Sequence, residues 1–331
     1  AEGVRSQGVA VGEAKPKPDL GELLRLDDRQ EIVGFVQQSS PMELMGYAEA
    51  VLLRAHDLNP RNKDHYANLG RLNSFWYAWT EDAARLQTSL DWYERVTPIA
   101  PQDVTLLNER AGVLAQLGDY AARNGDQAQA QRAYEAAELL QRSAELDPRY
   151  GDTQVRLGDL RMSEGDPEGA VALYEQAVAS SSVQVAGSIE RIADSLAERP
   201  ELILRLRDAY AAAAAADEER LAAREATATP EQLESLRSRI GLLHSVAGLL
   251  AVRGGDVAGA VEPYRRATEL QPARPDYSNN YAIVLSDTNR LDEAIAETQR
   301  SIELQRGLPG GANAASQGQQ LLELFERVRG G

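Results

Sequence analysis

The sequence predicts an all-α fold in which helix-turn-helix pairs stack side by side into a solenoid. Three observations predict it. Segments of one kind end at Leu146-Asp147-Pro148, Val178-Ala179-Ser180, Leu270-Gln271-Pro272 and Leu304-Gln305-Arg306, and Pro148 to Ser182 and Pro272 to Arg306 each span 34 positions. A fixed period of this size marks repeats that bury their apolar faces only against their neighbours. Small and large residues recur at set places within the period, and strand signals are nearly absent.

In chain order, residues 1–20 carry Gly3, Gly8, Gly12, Pro16 and Pro18 with Lys15 and Lys17, the composition of a tether. Residues 29–60 fit the second half of a repeat through Ala48, Leu52, Ala55 and Pro60. Gly70 belongs to a hairpin that reaches Pro101, about seven residues too long, and Gly112 to one that reaches Pro148, about twelve too long. Residues 151–182 are regular: Leu157-Gly158 at the seventh and eighth places, Gly165 at the turn, and Ala170, Tyr174 and Ala177 at the twentieth, twenty-fourth and twenty-seventh. Residues 241–272 repeat this with Gly248, Gly255, Ala260, Tyr264 and Ala267. Residues 275–306 do so with Ala282, Ala294 and Ser301, but Thr298 takes the aromatic place. Small residues let antiparallel helices approach, and the large one fills the gap beside them.

No clean repeat fits residues 183–240. Helices are expected over 187–198, over the alanine-rich 201–226 and from Pro230 onward, with Pro200 and Pro230 in first-turn positions where a missing N–H costs nothing. Residues 201–240 form the core of an unusually long hairpin inserted in the stack, a candidate contact element. Residues 307–318, with Pro309-Gly310-Gly311, read as a joint before a last amphipathic helix over 319–328, whose Leu321 and Phe325 either cap the final repeat or dock elsewhere. The expected organisation is a tether over 1–20, repeats over 21–182, an irregular insertion over 183–240, repeats over 241–306, and a joint and helix over 307–331.

The pattern of small residues at places eight, twenty and twenty-seven with a large one at twenty-four resembles the tetratricopeptide repeat (TPR) family. That resemblance implies a solenoid that binds peptides along a concave groove lined chiefly by first helices. Asn68, Arg156 and Asn280 occupy the sixth place of their repeats, where asparagine resembles part of the clamp that holds a terminal carboxylate in some chaperone-binding members. Asp64, Asp152 and Asp276 stand at the second place, where that clamp has lysine, so a carboxylate tail is not the expected ligand. Residues 54–60 (Arg54-Ala55-His56-Asp57-Leu58-Asn59-Pro60) and 64–72 further resemble the start of the soluble TPR tail on some bacterial O-antigen ligase or polymerase-like membrane proteins. This second resemblance implies an extramembrane tail, extracytoplasmic or associated with the cell envelope, tethered through residues 1–20 to an anchor upstream. The catalytic loops of such enzymes lie among membrane helices, so no catalytic residue carries over.

Composition narrows the partners. Thirty-five basic against 51 acidic residues give a net charge of −16, which argues against nucleic acid and anionic lipid. The absence of cysteine excludes disulfides, thiolate metal sites and cysteine nucleophiles. No apolar run approaches the length of a membrane span. His56, His65 and His244 include no pair at metal-ligand spacing on one helix. Gly118-Asp119, Gly125-Asp126, Gly165-Asp166 and Gly254-Gly255-Asp256 are read as turns between helices rather than phosphate loops, since none follows a strand. Neither a catalytic set nor a cofactor or metal site is expected. Among the aromatics Phe75, Trp76, Tyr77, Trp79, Trp92 and Tyr93, the side chains of Trp76, Trp79 and Tyr93 are candidate interface anchors, weighed against filling an enlarged second repeat.

The expected function is a non-catalytic protein–protein interaction scaffold. A solenoid has two unlike ends, so contact between copies would be heterologous and would build a helical filament or tube. The alternative is an accessory glycan- or peptide-binding module beside a membrane glycosyltransferase.

Overall fold

The computed structural model describes residues 29–126, 132–307 and 312–330; the tether expected over 1–20 and the segment Gly307 onward to residue 311 fall wholly or largely outside them. All regular elements among the described residues are helical. Packing separates two units at residues 139/140.

The first unit contains α1 (Arg29–Gln38), α2 (Pro41–Leu58), α3 (Lys63–Thr80), α4 (Ala83–Val96) and α5 (Val104–Arg123). Each helix packs on the next from α2 to α5. Ser40 starts α2 with a reciprocal cap: its hydroxyl accepts from the Glu43 N–H, and the Glu43 carboxylate accepts from the Ser40 N–H. Asp82 and Asp103 cap α4 and α5 through their carboxylates. The helix α6 (Arg132–Leu146) runs across the division.

In the second unit α7 (Gly151–Ser163) and α8 (Pro167–Ala186) form a hairpin, followed by the short α9 (Ile189–Ser195). Next come α10 (Pro200–Arg224), α11 (Pro230–Arg253), a 3-10 turn over Ala258–Ala260, α12 (Val261–Leu270), α13 (Pro275–Asp287), α14 (Leu291–Arg306) and α15 (Ala312–Gly330). Pro200 and Pro230 sit in the first turns of α10 and α11, and Thr229 with Gln232 closes a capping box on the latter.

One packing device recurs, and it explains the repeat pattern. The Tyr174 ring fills the space a side chain at Gly158 would need, and Tyr264 does the same against Gly248, where an added Cβ would come within 2.9 Å of the ring. Both tyrosines are buried. The stretched hairpin α3/α4 uses the same joint: a Cβ on Gly70 would lie 2.7 Å from the Tyr93 ring. Sixteen positions separate the glycine and tyrosine in the two regular pairs, and 23 in the stretched one. Some of the added length lies in the first helices: α3 and α5 have 18 and 20 residues, whereas α7 and α13 have 13 each.

The turns also follow chemistry. Gly125, Gly165 and Gly255 take φ of +76°, +80° and +83°, a region that costs glycine little. The following Asp166 and Asp256 accept from the N–H groups of Gly169 and Gly259, each at 2.9 Å. Gly118-Asp119 corrects the turn expectation, because it lies inside α5: the apolar face of Leu114, Leu117 and Ala121 continues past it.

The irregular region differs from expectation in its boundaries. Helix α8 runs on to Ala186, and α9 is shorter than the helix expected over 187–198. Ile189, Ile192 and Ala193 bury one side of α9 in the core made with α8, α10 and α11, so the short helix is held by tertiary burial rather than by propensity. The helix that starts at Pro230 continues unbroken to Arg253, so the second arm of the long hairpin is also the first helix of the next repeat. Helix α15 begins at Ala312, so the joint expected over 307–318 is partly helical. Gly318 within it packs where a Cβ would meet Ile302 at 2.8 Å.

Candidate functional site

In the second unit a cleft of about 460 Å3 opens among the end of α8, α9, α11, α12 and α13. Ile189, Leu249 and the buried Tyr264 contribute apolar surface, and Glu190, Ser245 and Asn280 contribute polar groups. Burial pushes the Tyr264 phenol up to about 12, so it stays neutral there.

Helix α9 forms one wall because charged hydrogen bonds pin it. The Arg191 guanidinium donates to both carboxylate oxygens of Asp159 on α7, at 3.0 and 2.9 Å. The Tyr174 hydroxyl donates to the same carboxylate at 2.7 Å. The buried tyrosine of the packing joint therefore also positions the wall. Arg253 of α11 donates to Asp194 of α9 at 2.7 Å. A planar guanidinium on a carboxylate fixes orientation as well as distance. Glu190, between the buried Ile189 and the tied Arg191, is exposed, and its carboxylate has no ion-pair or hydrogen-bond partner among the described residues. The Asn280 amide and Ser245 hydroxyl, both half-buried, likewise carry no side-chain hydrogen bond among the described residues.

Helices α10, α11 and α12 share a charged cluster. His244, the residue before Ser245, lies 3.2 Å through Nε2 from Glu218 Oε1, which also accepts from Arg266. Burial holds the His244 imidazole below its usual range despite the adjacent Glu218. Burial would raise Glu218, but hydrogen bonds from Arg266 and His244 outweigh it and leave the carboxyl low.

Of the interaction candidates named from sequence, only Asn280 lines this cleft, beside Tyr264 from the repeat pattern. Arg156 is half-buried and closes on Asp152 at 2.8 Å, one turn away on its own helix. Asn68 accepts from Arg71 at 2.9 Å, while Arg71 also donates to Glu109. Trp76 is buried beneath the Arg85 guanidinium, 3.5 Å from the ring centroid, and Arg85 is itself held by Glu49 and Asn73. Tyr93 is enclosed at the Gly70 joint. Trp79 stays 53% exposed beside Phe75 at 54%, with ring centroids 6.2 Å apart. Phe325 is buried with Ala315 and Leu322 in the core that includes Ile302 and Tyr281, and Leu321 packs on its edge. Helix α15 therefore covers the last repeat.

Sequence reading missed Ile189, Glu190, Ser245 and Leu249. Helix α9 lies outside the period, so no alignment of repeats assigns it a groove position. In the repeat at 241–272 the sixth place is Val246, and the polar group comes from its neighbour Ser245.

No group of three or more metal-binding side chains suited to a metal ion exists among the described residues, and no helix among them is long and apolar enough to cross a membrane. Residues 115–184 and 246–311 match the tetratricopeptide repeat family. No curated protein matches the chain. Similar solved structures include YrrB, a TPR protein with an unusual peptide-binding site, at 13% identity over 81% of this chain and 100% of that one, TM-score 0.31. The TPR2AB domain–pHSP90 complex of yeast Sti1 is 14% identical over 80% of this chain and 98% of that one, TM-score 0.30. MamA is 15% identical over 59% and 92%, TM-score 0.31.

Proposed function

Because this chain is a tetratricopeptide repeat protein over residues 115–184 and 246–311, we propose that it is a non-catalytic scaffold whose α9–α13 cleft takes an extended segment of a partner protein. The observation that carries this reading is the pairing of apolar surface with unpartnered polar groups. The half-buried Leu249 offers apolar contact, while the Asn280 amide can donate to and accept from one peptide unit and Ser245 adds a hydroxyl. An extended peptide brings unpaired backbone N–H and C=O groups that need such partners. Fluorescence anisotropy against an array of extended peptides tests it. Asn280→Ala weakens binding about tenfold, the loss of about 1.4 kcal/mol that one hydrogen-bonding group supplies. An unchanged affinity in that variant removes Asn280 from the site.

A second reading, association between copies, is favoured by Leu324 and Val328, which lie one turn apart on α15 and are 48% and 57% exposed. Their contact with another surface of a second copy would be heterologous and could propagate into a filament. Light scattering of concentrated protein is expected to show assemblies that Leu324→Glu/Val328→Glu abolishes; monomers throughout overturn it. The likeness of residues 54–72 to an O-antigen ligase tail supplies a setting for such contacts, beside a membrane enzyme. A gene without membrane spans upstream of Ala1 removes that setting. The glycan-binding alternative needs an accessible stacking ring, a role open to Trp79 but not to the covered Trp76.

A further inference from the structure

We propose that the α9–α13 cleft selects a cationic side chain, lysine or arginine within an extended peptide, and that Glu190 receives it. This rests on the reading that the cleft takes a peptide, and adds what distinguishes one peptide from another. Glu190 is the one charged residue among those lining the cleft, and its carboxylate is exposed and unpaired among the described residues. Arginines on the helices of this unit are engaged internally. Arg156 closes on Asp152, Arg191 holds Asp159 by both nitrogens, Arg253 is on Asp194, and Arg274 grips Asp276 at 2.6 and 2.9 Å. Groups that would attract an anionic ligand are therefore already satisfied, while a carboxylate is left open.

Geometry sharpens the choice. The backbone of Glu190 is fixed from both sides, by burial of Ile189 and by the Arg191–Asp159 pair. Only the side chain needs ordering when a cation arrives, and that lowers the entropic cost of pairing. The net charge of −16 adds a long-range field that favours approach of cations and opposes a free terminal carboxylate. Side chains two apart on an extended peptide point the same way. An apolar residue two positions from the basic one therefore faces the cleft with it, where Leu249 supplies apolar surface. The recognised unit is basic–any–apolar, internal to a chain.

Fluorescence anisotropy on the full chain tests this with labelled nonapeptides that differ only at one position: Lys-Ala-Leu, Gln-Ala-Leu and Glu-Ala-Leu centres, with amidated or free C-termini. The lysine peptide is expected to bind at least fivefold tighter than the glutamine one, and the glutamate one weakest. Glu190→Gln erases the difference, Glu190→Lys inverts it, and Asn280→Ala weakens all three by a common factor. Amidation of the C-terminus leaves the order unchanged. Equal binding of the three peptides, or a lysine preference that survives Glu190→Gln, overturns charge selection while leaving the peptide cleft standing. Binding of none of them overturns the cleft reading and the selection with it.

Discussion

The hairpins α7/α8 and α10/α11 stand in one unit and are held together by different means. In α7/α8 a buried tyrosine seats in a glycine gap, and its hydroxyl reaches Asp159. In α10/α11 the half near the core is apolar, through Leu202, Leu206, Tyr210, Leu243 and Leu250. Between Ala214 and Ile240, however, no hydrophobic side chain is fully buried. There the helices rely on half-buried Leu221, Leu233 and Leu236 and on Asp217, 1% exposed, flanked by Arg220 at 2.6 Å and Arg239 at 2.7 Å. Packed volume secures the first hairpin, and charge placement plus helix propensity secures the outer part of the second. The two should therefore come apart in different ways.

The largest effect tests the packed joint. Tyr174→Ala removes a ring enclosed on all sides and is expected to cost about 3–5 kcal/mol, as for other buried aromatics. Urea unfolding of the second unit measures it, and a loss under about 1 kcal/mol would break the contrast. A smaller and local effect is expected at the outer hairpin. Arg220→Ala/Arg239→Ala leaves the Asp217 carboxylate buried and unpaired, at about 1–3 kcal/mol. Hydrogen exchange should accelerate in α10 beyond Ala214 and in α11 before Ile240, while protection of α7 and α8 is unchanged.

Acid should distinguish the regions again. His244 is held low by burial, so below about 6.5 the unfolded chain binds more protons than the folded one, and stability falls as pH drops. Glu218 is also low in the fold, and its contribution is lost as pH falls below its usual 4.5. Thermal unfolding between pH 7.5 and 3 should show both losses, and His244→Gln should remove the upper one and shrink the lower one, because His244 also helps to hold Glu218 low. The smallest effect is expected at Arg191→Ala. That pair is 57% and 35% exposed, so its loss should cost about 0.2–1 kcal/mol in stability. Peptide affinity, through the position of α9, should move more.

The tyrosine joints were legible in the sequence wherever the period held, because Gly158/Tyr174 and Gly248/Tyr264 sit at the places the repeat reserves for them. The same chemistry at Gly70/Tyr93 escaped notice because extra residues separate the pair. The helix starts at Pro200 and Pro230 were readable from local rules, whereas the ends of α8, α9 and α15 were set by tertiary burial that local rules do not encode. The cleft was the least legible part. Asn280 stands at a family position, but Glu190 and Ile189 reach the cleft through tertiary contacts of α9: burial of Ile189, Ile192 and Ala193 in the core and the Arg191–Asp159 pair across 32 residues. Nothing in a one-dimensional pattern announces those contacts.

The 23-residue spacing from Gly70 to Tyr93 has a consequence for how such chains grow. The extra residues fall on both sides of the turn: ten positions run from Gly70 to the end of α3 against five from Gly158 to the end of α7, and ten from the start of α4 to Tyr93 against seven from the start of α8 to Tyr174. Both arms lengthen together, so ring and glycine stay at matching heights along the antiparallel pair. A duplication confined to one arm would carry the tyrosine past its seat.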